Sequence, residues 1–279
     1  MKENNELYYE RMKRSVGDKI KLIDYILEKH STSDIFNILD VGAGGGDLSV
    51  EIAKMFPNAN IHQIENHPQA LKRLKLNGCK NIHKVNLLEN NFSNYIDEKF
   101  DVIICSAIIH EIYSYSSQRE NSVKVFFINL EKLMKDNGVI LIRDGVKPES
   151  GTITFSTDKE NYNNLKKYVD KFNNESPFVI NKTLEGIKPL GKSFVTDKQT
   201  MTEFLFTYTW GPDSWEREVR EYYSWMDIHI LESVITESMI IKDSRKYIQE
   251  GYKNHLEHIK ILNNYFPYTN SIYMIKRRG

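Results

Sequence analysis

The residues of this chain best suited to chemistry are a glycine-rich loop and an acid that follows it. The loop has glycine at positions 42, 44, 45 and 46 and comes directly after the short apolar run Ile38–Val41. Glycine permits a sharp turn and lets a ligand approach the main chain closely. Glu65 stands about 20 positions later, where its carboxylate can accept both hydroxyl protons of a ribose. The pattern indicates a site for a nucleoside cofactor.

The glycine spacing narrows the choice of nucleoside. The dinucleotide pattern Gly-x-Gly-x-x-Gly would need glycine at position 47, and Asp47 stands there. An acid at the start of a helix places negative charge where a pyrophosphate would bind. The loop therefore disfavours a nicotinamide or flavin oxidoreductase and permits a cationic ligand without phosphate.

At this motif the chain resembles the class I S-adenosylmethionine-dependent methyltransferases. Their first motif is an apolar strand ending in Asp/Glu-x-Gly-x-Gly-x-Gly, and residues 40–46 match it. The resemblance covers residues 36–145 and, more weakly, 227–278. It implies S-adenosylmethionine as the cofactor, with Glu65 at the ribose and Asn86 in the place of an acid that contacts adenine. The expected cofactor-binding residues are Asp40, Gly42, Gly44, Gly46, Glu65, Asn66, Asn86, Leu87 and Ser106.

Apolar runs alternate with amphipathic segments, which predicts an α/β fold with a doubly wound, mostly parallel sheet and helices on both faces. The resemblance implies seven strands, the last two from the C-terminal part. Strands are expected at 38–41, 61–64, 82–85, 100–105, 139–143, 239–242 and 271–276, and helices at 7–30, 48–56, 68–77, 118–135, 227–237 and 248–263.

Residues 146–226 interrupt this alternation. The stretch is polar at first and too long for an ordinary loop, so we predict an inserted cap between strand 5 and the C-terminal hairpin. Its segment 204–225 contains all three tryptophans and could form either an acceptor pocket or the core of the cap. The domains expected are a helical lid at 1–35, the cofactor-binding core at 36–145, the cap at 146–226 and the C-terminal part of the core at 227–279.

The segment after the fourth strand contains His110 and Glu111. The ordinary pKa of histidine lies near neutral pH, so His110 could accept a proton from the acceptor, with Glu111 orienting it or acting itself. Local packing of both side chains is the alternative. The residues predicted to meet the acceptor are Tyr8, Arg143, Asp144, Tyr208, Trp210 and Tyr222.

Several other kinds of site are not indicated. The Asn/Asp-Pro-Pro-Tyr/Phe segment, with which amino-methylating nucleic-acid enzymes clamp an exocyclic amine, is absent. The metal-binding acids of catechol-type enzymes are not apparent. His62, His67 and His83 lack metal-ligand spacing. We therefore predict no metal.

The composition of the chain limits the kinds of partner and the compartment that we expect for it. The 279 residues contain 38 basic and 38 acidic side chains, so no global field attracts nucleic acid or an anionic membrane. Two cysteines fit a reducing compartment. No signal peptide or membrane span is visible, which predicts a cytoplasmic protein. A homodimer is compatible with the sequence.

The sequence thus predicts a methyltransferase that methylates oxygen or nitrogen of a small molecule in a biosynthetic pathway. Two alternatives stay open: a methyltransferase for RNA or a protein side chain, and a non-catalytic S-adenosylmethionine-binding subunit.

Overall fold

The computed structural model describes residues 16–175, 186–208, 210–211, 214–255, 259–263 and 266–279. The chain divides into two compact units. The core unit takes its described residues from Tyr9–Asp144, Ile228–Arg245 and Ser271–Gly279. The second unit takes its described residues from Gly145–Asp227 and Lys246–Asn270.

A seven-stranded sheet organises the core unit. Numbered along the whole chain, its strands are β1 Asn37–Val41, β2 Asn60–Ile64, β3 Asn81–His83, β4 Phe100–Ser106, β5 Met134–Gly145, β9 Met239–Tyr247 and β11 Asn270–Arg277. They lie in the order β3-β2-β1-β4-β5-β11-β9. The order reverses between β1 and β4, and such a reversal opens a crevice at the carboxyl ends of parallel strands. This confirms the predicted doubly wound, mostly parallel α/β fold.

Parallel register aligns the strand ends that carry the site. Val41 pairs with Ile64 on one side and with Cys105 on the other, and Ser106 pairs with Arg143. The carboxyl ends of β1, β2, β4 and β5 therefore lie at the same edge of the sheet. The central strands β1 and β4 read as apolar runs because they are buried on both faces, as parallel strands usually are.

Amphipathic helices follow the strands, with a 3₁₀ turn at Phe92–Tyr95. The described part of the long helix predicted at 7–30 is instead two short helices that meet at Ile20, where the amide of Ile23 donates to the carbonyl of Ile20 at 2.7 Å. Such a tightened turn interrupts α-helical bonding. The helices are α1 Val16–Lys19, α2 Lys21–Leu27, α3 Asp47–Met55, α4 Pro68–Leu76, α5 Ile109–Tyr115, α6 Glu120–Leu133 and α10 Ile228–Val234.

The second unit contains a four-stranded antiparallel sheet in the order β10-β6-β8-β7. This sheet confirms the predicted inserted cap, and it also draws in a strand from the C-terminal region. The elements are β6 Thr152–Thr157, α7 Lys159–Glu175, β7 Lys188–Leu190, β8 Ser193–Asp197, α8 Lys198–Tyr208, α9 Trp215–Glu218, α11 Glu250–His255 and β10 Ile259–Ile261.

The helix predicted at 248–263 is therefore wrong in its second half. The described residues show α11 first and then β10, in which Ile259 pairs with Thr157 of β6. A strand of three residues has too little length for a periodic signal, so only pairing with a distant strand determines it.

The core of the second unit is largely aromatic. Tyr168 packs against Phe172, Phe204 and Trp215 with ring centroids 5.9, 5.6 and 6.2 Å apart. Glu203 is buried beside them and accepts hydrogen bonds from the amides of Tyr223 at 3.3 Å and Ser224 at 2.6 Å. Across the part of the chain that the structure describes, no helix combines the length and the apolar character needed to cross a bilayer.

Candidate functional site

The glycine loop leaves β1 in a conformation that side chains disfavour. Gly42, Gly44 and Gly46 have φ of +68°, +55° and +83°, in the left-handed region that glycine enters at little cost. A Cβ at Gly42 would lie 2.7 Å from Cδ1 of Ile108, and a Cβ at Gly46 would lie 2.6 Å from Cδ2 of Leu74. The turn therefore favours glycine at all three positions, and close packing adds a second constraint at Gly42 and Gly46.

Glu65 follows β2 and reaches the loop. One carboxylate oxygen accepts the amide of Gly44 at 2.9 Å. The other accepts the amides of Asn66 at 2.8 Å and His67 at 2.9 Å. Three main-chain donors therefore hold the carboxylate at the edge of the loop, where its remaining lone pairs can accept the hydroxyls of a ribose.

Ser106 ends β4 with an unsatisfied polar atom. Its Oγ is buried and has no hydrogen-bond partner among the residues that the structure describes. The next residue, Ala107, has φ of +58°, which is unusual for a residue other than glycine. A buried hydroxyl without a partner and a strained residue at a strand end are the features expected where a polar ligand binds.

His110 and Asp144 form a buried pair at the ends of β4 and β5. Nδ1 of His110 lies 2.6 Å from Oδ1 of Asp144. Oδ2 of Asp144 accepts the amides of Ile109 at 2.8 Å and His110 at 3.2 Å, at the start of α5. Glu111 is the next residue and is half-buried. An imidazole held by a carboxylate at Nδ1 is suited to take a proton at Nε2.

Arg143 also forms a buried ion pair. Its Nε lies 2.9 Å from Oδ2 of Asp18 on α1, and its NH2 group contacts the same oxygen. Burial, and then the charge of Arg143, lowers the pKa of the neighbouring Lys19, while the charges of Asp40 and Asp47 oppose this shift.

The other expected cofactor residues differ in exposure. Asp40 is buried and accepts a hydrogen bond from Ser49 Oγ at 2.7 Å, and burial raises the pKa of its carboxyl. Asn66 and Asn86 are exposed and Leu87 is half-buried. The amide oxygen of Asn86 accepts the amide of Leu88 at 3.1 Å. Their contacts with a cofactor stay predictions.

The expected acceptor residues are spread over the chain. Arg143 and Asp144 are engaged in the buried pairs described above, and Tyr8 and the side chain of Tyr208 lie outside the described residues. In the second unit, the guanidinium of Arg217 lies 5.8 Å from the ring centroid of Trp210, and Tyr222 is buried with its ring 6.3 Å from that of Phe172. Their roles stay predictions.

Sequence reasoning missed Asp18, Lys19 and Ala107. Asp18 and Lys19 lie in a short helix that precedes every recognisable motif, and no local pattern points from them to Arg143. Ala107 lies in the segment expected at the site, but nothing in its residue type indicates a positive φ.

The chain matches the family model described as "Methyltransferase domain" over residues 33–225, which is more than half of its length. The release factor glutamine methyltransferase of Buchnera aphidicola subsp. Schizaphis graminum is 34% identical over 84 residues, covering 30% of each protein. The malonyl-[acyl-carrier protein] O-methyltransferase 2 of Ilyobacter polytropus is 25% identical over 175 residues, covering 58% of this chain and 62% of that protein.

The chain therefore spans less than two thirds of the length of these relatives. Among solved structures, the plantazolicin methyltransferase BamL, in complex with a triazolic desmethylPZN analog and SAH, aligns with a TM-score of 0.52 at 12% identity. The alignment covers 98% of this chain and 91% of that one. At this identity the likeness concerns the fold.

Proposed function

The chain belongs to the methyltransferase domain family, with the fold of the class I S-adenosylmethionine-dependent enzymes, and from this premise we propose that it methylates oxygen or nitrogen of a small-molecule acceptor. The observation that carries the proposal is the His110–Asp144 pair, at 2.6 Å, at the ends of β4 and β5. A base placed there suits an acceptor that loses a proton, such as a hydroxyl group.

The residues at the carboxyl ends of the strands fit the cofactor. Glu65 would accept the ribose hydroxyls, the loop from Gly42 to Gly46 would allow close approach, and Ser106 Oγ would gain a partner. When bound, S-adenosylmethionine supplies a methyl group already activated on a sulfonium. The protein then has mainly to position the acceptor and exclude water, and good positioning can supply much of the rate acceleration.

His110 would take the proton of the acceptor. Asp144 would act as a positioning residue, because its carboxylate fixes the ring and the tautomer with a proton on Nδ1. General-base catalysis contributes about 10²–10⁴-fold. Glu111 is the alternative base at the next position. Normal turnover in His110→Ala would move the role to Glu111 or to no base at all.

Two sequence features favour a small molecule over a macromolecule. The formal net charge is zero, which supplies no general attraction to RNA. After β4 the chain continues Ser106-Ala-Ile-Ile-His110 and lacks the Pro-Pro-aromatic segment with which amino-methylating nucleic-acid enzymes clamp an exocyclic amine. The aromatic side chains of Trp210 and Tyr222 stay candidates for the wall of the acceptor pocket, because flat rings of this kind bind aromatic or heterocyclic acceptors. A cytoplasmic location and a homodimeric state stay predictions from the sequence.

The test is methyl transfer from radiolabelled S-adenosylmethionine in an extract of the source cells. The extract is separated beforehand into small molecules, RNA and protein, and each fraction is incubated with the purified chain. We expect label in the small-molecule fraction, with wild-type rate lost in His110→Ala and retained in the exposed-histidine variant His229→Gln.

Label confined to RNA, with binding that weakens steeply as salt rises, would instead support an RNA methyltransferase. Label confined to protein would support a side-chain methyltransferase. Calorimetric binding of S-adenosylhomocysteine without transfer to any fraction would support a non-catalytic subunit. Failure to bind S-adenosylhomocysteine would reject the cofactor site itself.

A further inference from the structure

Two histidines on neighbouring strands of the core sheet are in direct contact. Nδ1 of His62 on β2 lies 2.9 Å from Nε2 of His83 on β3, and the two rings stack with centroids 5.2 Å apart. The next residue of β2, Gln63, reaches Ser49 on α3 with its Nε2 3.3 Å from Oγ. Because successive side chains of a strand point to opposite faces, the two histidines lie on the face away from α3.

A carboxylate completes this group. Glu98 lies in the loop before β4, and one ligand atom from each of His62, His83 and Glu98 lies within 4.8 Å of the others. His62 is buried, His83 is half-buried and Glu98 is exposed, so the group opens to solvent on one side. The ring of Phe100 meets that of His62 edge-on, with centroids 5.2 Å apart. This packing holds the buried imidazole in place.

We propose that His62, His83 and Glu98 form a binding site for Zn²⁺ or a similar late first-row divalent cation. Imidazole nitrogen and carboxylate oxygen are favoured ligands of these ions, and three protein ligands with water in the fourth position are a common arrangement. Zn–N bonds of about 2.0–2.1 Å in a tetrahedral site place two nitrogens about 3.3 Å apart. The observed separation is 2.9 Å, so metal binding needs only a small movement of the two rings.

The sheet register creates the site. His83 pairs with Ile64 across the strands, which places its ring beside His62, although 21 positions separate the two histidines. Spacing along the chain therefore shows no metal motif. The three ligands come from β2, β3 and the connection to β4, so a bound ion would link three segments of the sheet edge. Such an ion stabilises the folded state because the unfolded chain lacks the assembled site.

The experiment uses the full-length protein stripped of metal with a chelator and titrated calorimetrically with zinc chloride. We expect one Zn²⁺ per chain, and a melting temperature that rises on zinc addition. His83→Gln and Glu98→Gln each remove one ligand and are expected to weaken binding at least about tenfold. His67→Gln alters an exposed histidine just beyond β2 and serves as the matched control with unchanged affinity.

Cobalt provides a second readout that reports coordination directly. Co²⁺ bound to the wild type should give the absorption bands of a four-coordinate site, and these should be lost in Glu98→Gln. Glu98 is exposed, so this variant tests the site even where His83→Gln disturbs folding. Absence of zinc binding by the wild type, or equal affinity in Glu98→Gln and His67→Gln, would overturn the proposal and leave His62 and His83 as a hydrogen-bonded pair.

Discussion

One carboxylate, that of Asp144, holds both the ring and the backbone of His110. Oδ1 lies 2.6 Å from Nδ1 of the imidazole, while Oδ2 accepts the His110 amide at 3.2 Å. The side chain that would serve as base and the helix turn that presents it thus depend on a single residue from the neighbouring strand. This relationship makes Asp144 the sharpest probe of the proposed mechanism.

Asp144→Asn should lower turnover by about 10²-fold or more while leaving the affinity for S-adenosylhomocysteine within about threefold. An asparagine oxygen can still accept the amides of α5, but its NH₂ group cannot accept from Nδ1, so the imidazole loses the tautomer that the mechanism needs. Steady-state kinetics and calorimetry measure the two effects. Asp97→Asn, at an exposed position, is the control, and normal turnover in Asp144→Asn would remove His110 from the role of base.

Glu65→Ala should weaken the binding of S-adenosylmethionine by roughly 1–3 kcal/mol, because the ribose hydroxyls lose a charged acceptor. Glu65→Gln should lose less cofactor affinity than Glu65→Ala, since the amide oxygen of glutamine can still accept hydrogen bonds. Calorimetric titration of both variants measures the difference, with the exposed Glu51→Ala as control. Equal affinity in Glu65→Ala and wild type, or binding of NADH instead, would contradict the assignment of the loop.

Gly42→Ala should destabilise the fold more than Gly78→Ala. Both glycines have positive φ, +68° and +82°, and this backbone conformation costs a residue with a side chain about 1–2 kcal/mol. Only at Gly42 would the added Cβ meet a neighbour, Ile108 Cδ1 at 2.7 Å, whereas at Gly78 no atom lies within 4 Å. The difference between the urea denaturation midpoints of the two variants measures the clash, because both variants share the backbone cost. Equal midpoints would show that Ile108 moves aside freely.

Stability should also depend on pH through Glu218. Burial, and then the charge of Glu221, raises the pKa of Glu218 from its ordinary 4.5 to about 7. The folded state then binds more protons than the unfolded state between these values, so the free energy of unfolding falls as pH rises from about 4.5 to about 7. The total loss is as much as about 3 kcal/mol.

Glu218→Gln should remove this pH dependence, because the amide does not titrate. Denaturation curves across the same pH range measure it. The exposed Glu216→Gln lies in the same helix and should keep the wild-type slope. A Glu218→Gln profile parallel to that of the wild type would show that another group causes the dependence.

Much of the core unit could be predicted from local pattern. The run Ile38–Val41, the glycine loop and the amphipathic helix that follows it each have a period or a turn residue within about ten positions. Glu65 was placed at the loop because the next strand of such a unit returns to the same sheet edge. The structure shows Glu65 bonded to the amide of Gly44.

The remaining features depend on pairing between distant segments. Strand β10 was predicted as helix, because three residues have no measurable period and its identity comes from pairing with β6. The side-chain contacts of the site also join distant residues. Asp18 and Arg143 are 125 positions apart in the chain, and His110 and Asp144 are 34 positions apart.

The sequence by itself thus determined the alternation of strands and helices over residues 36–145, the glycine loop and its acid, because these follow from hydrophobic period and backbone freedom. Only the tertiary structure decided which carboxylate holds His110, which acid pairs with Arg143 and that His62 meets His83. Those contacts depend on sheet register and on which strands are neighbours, and neither is determined by residues close together in the chain.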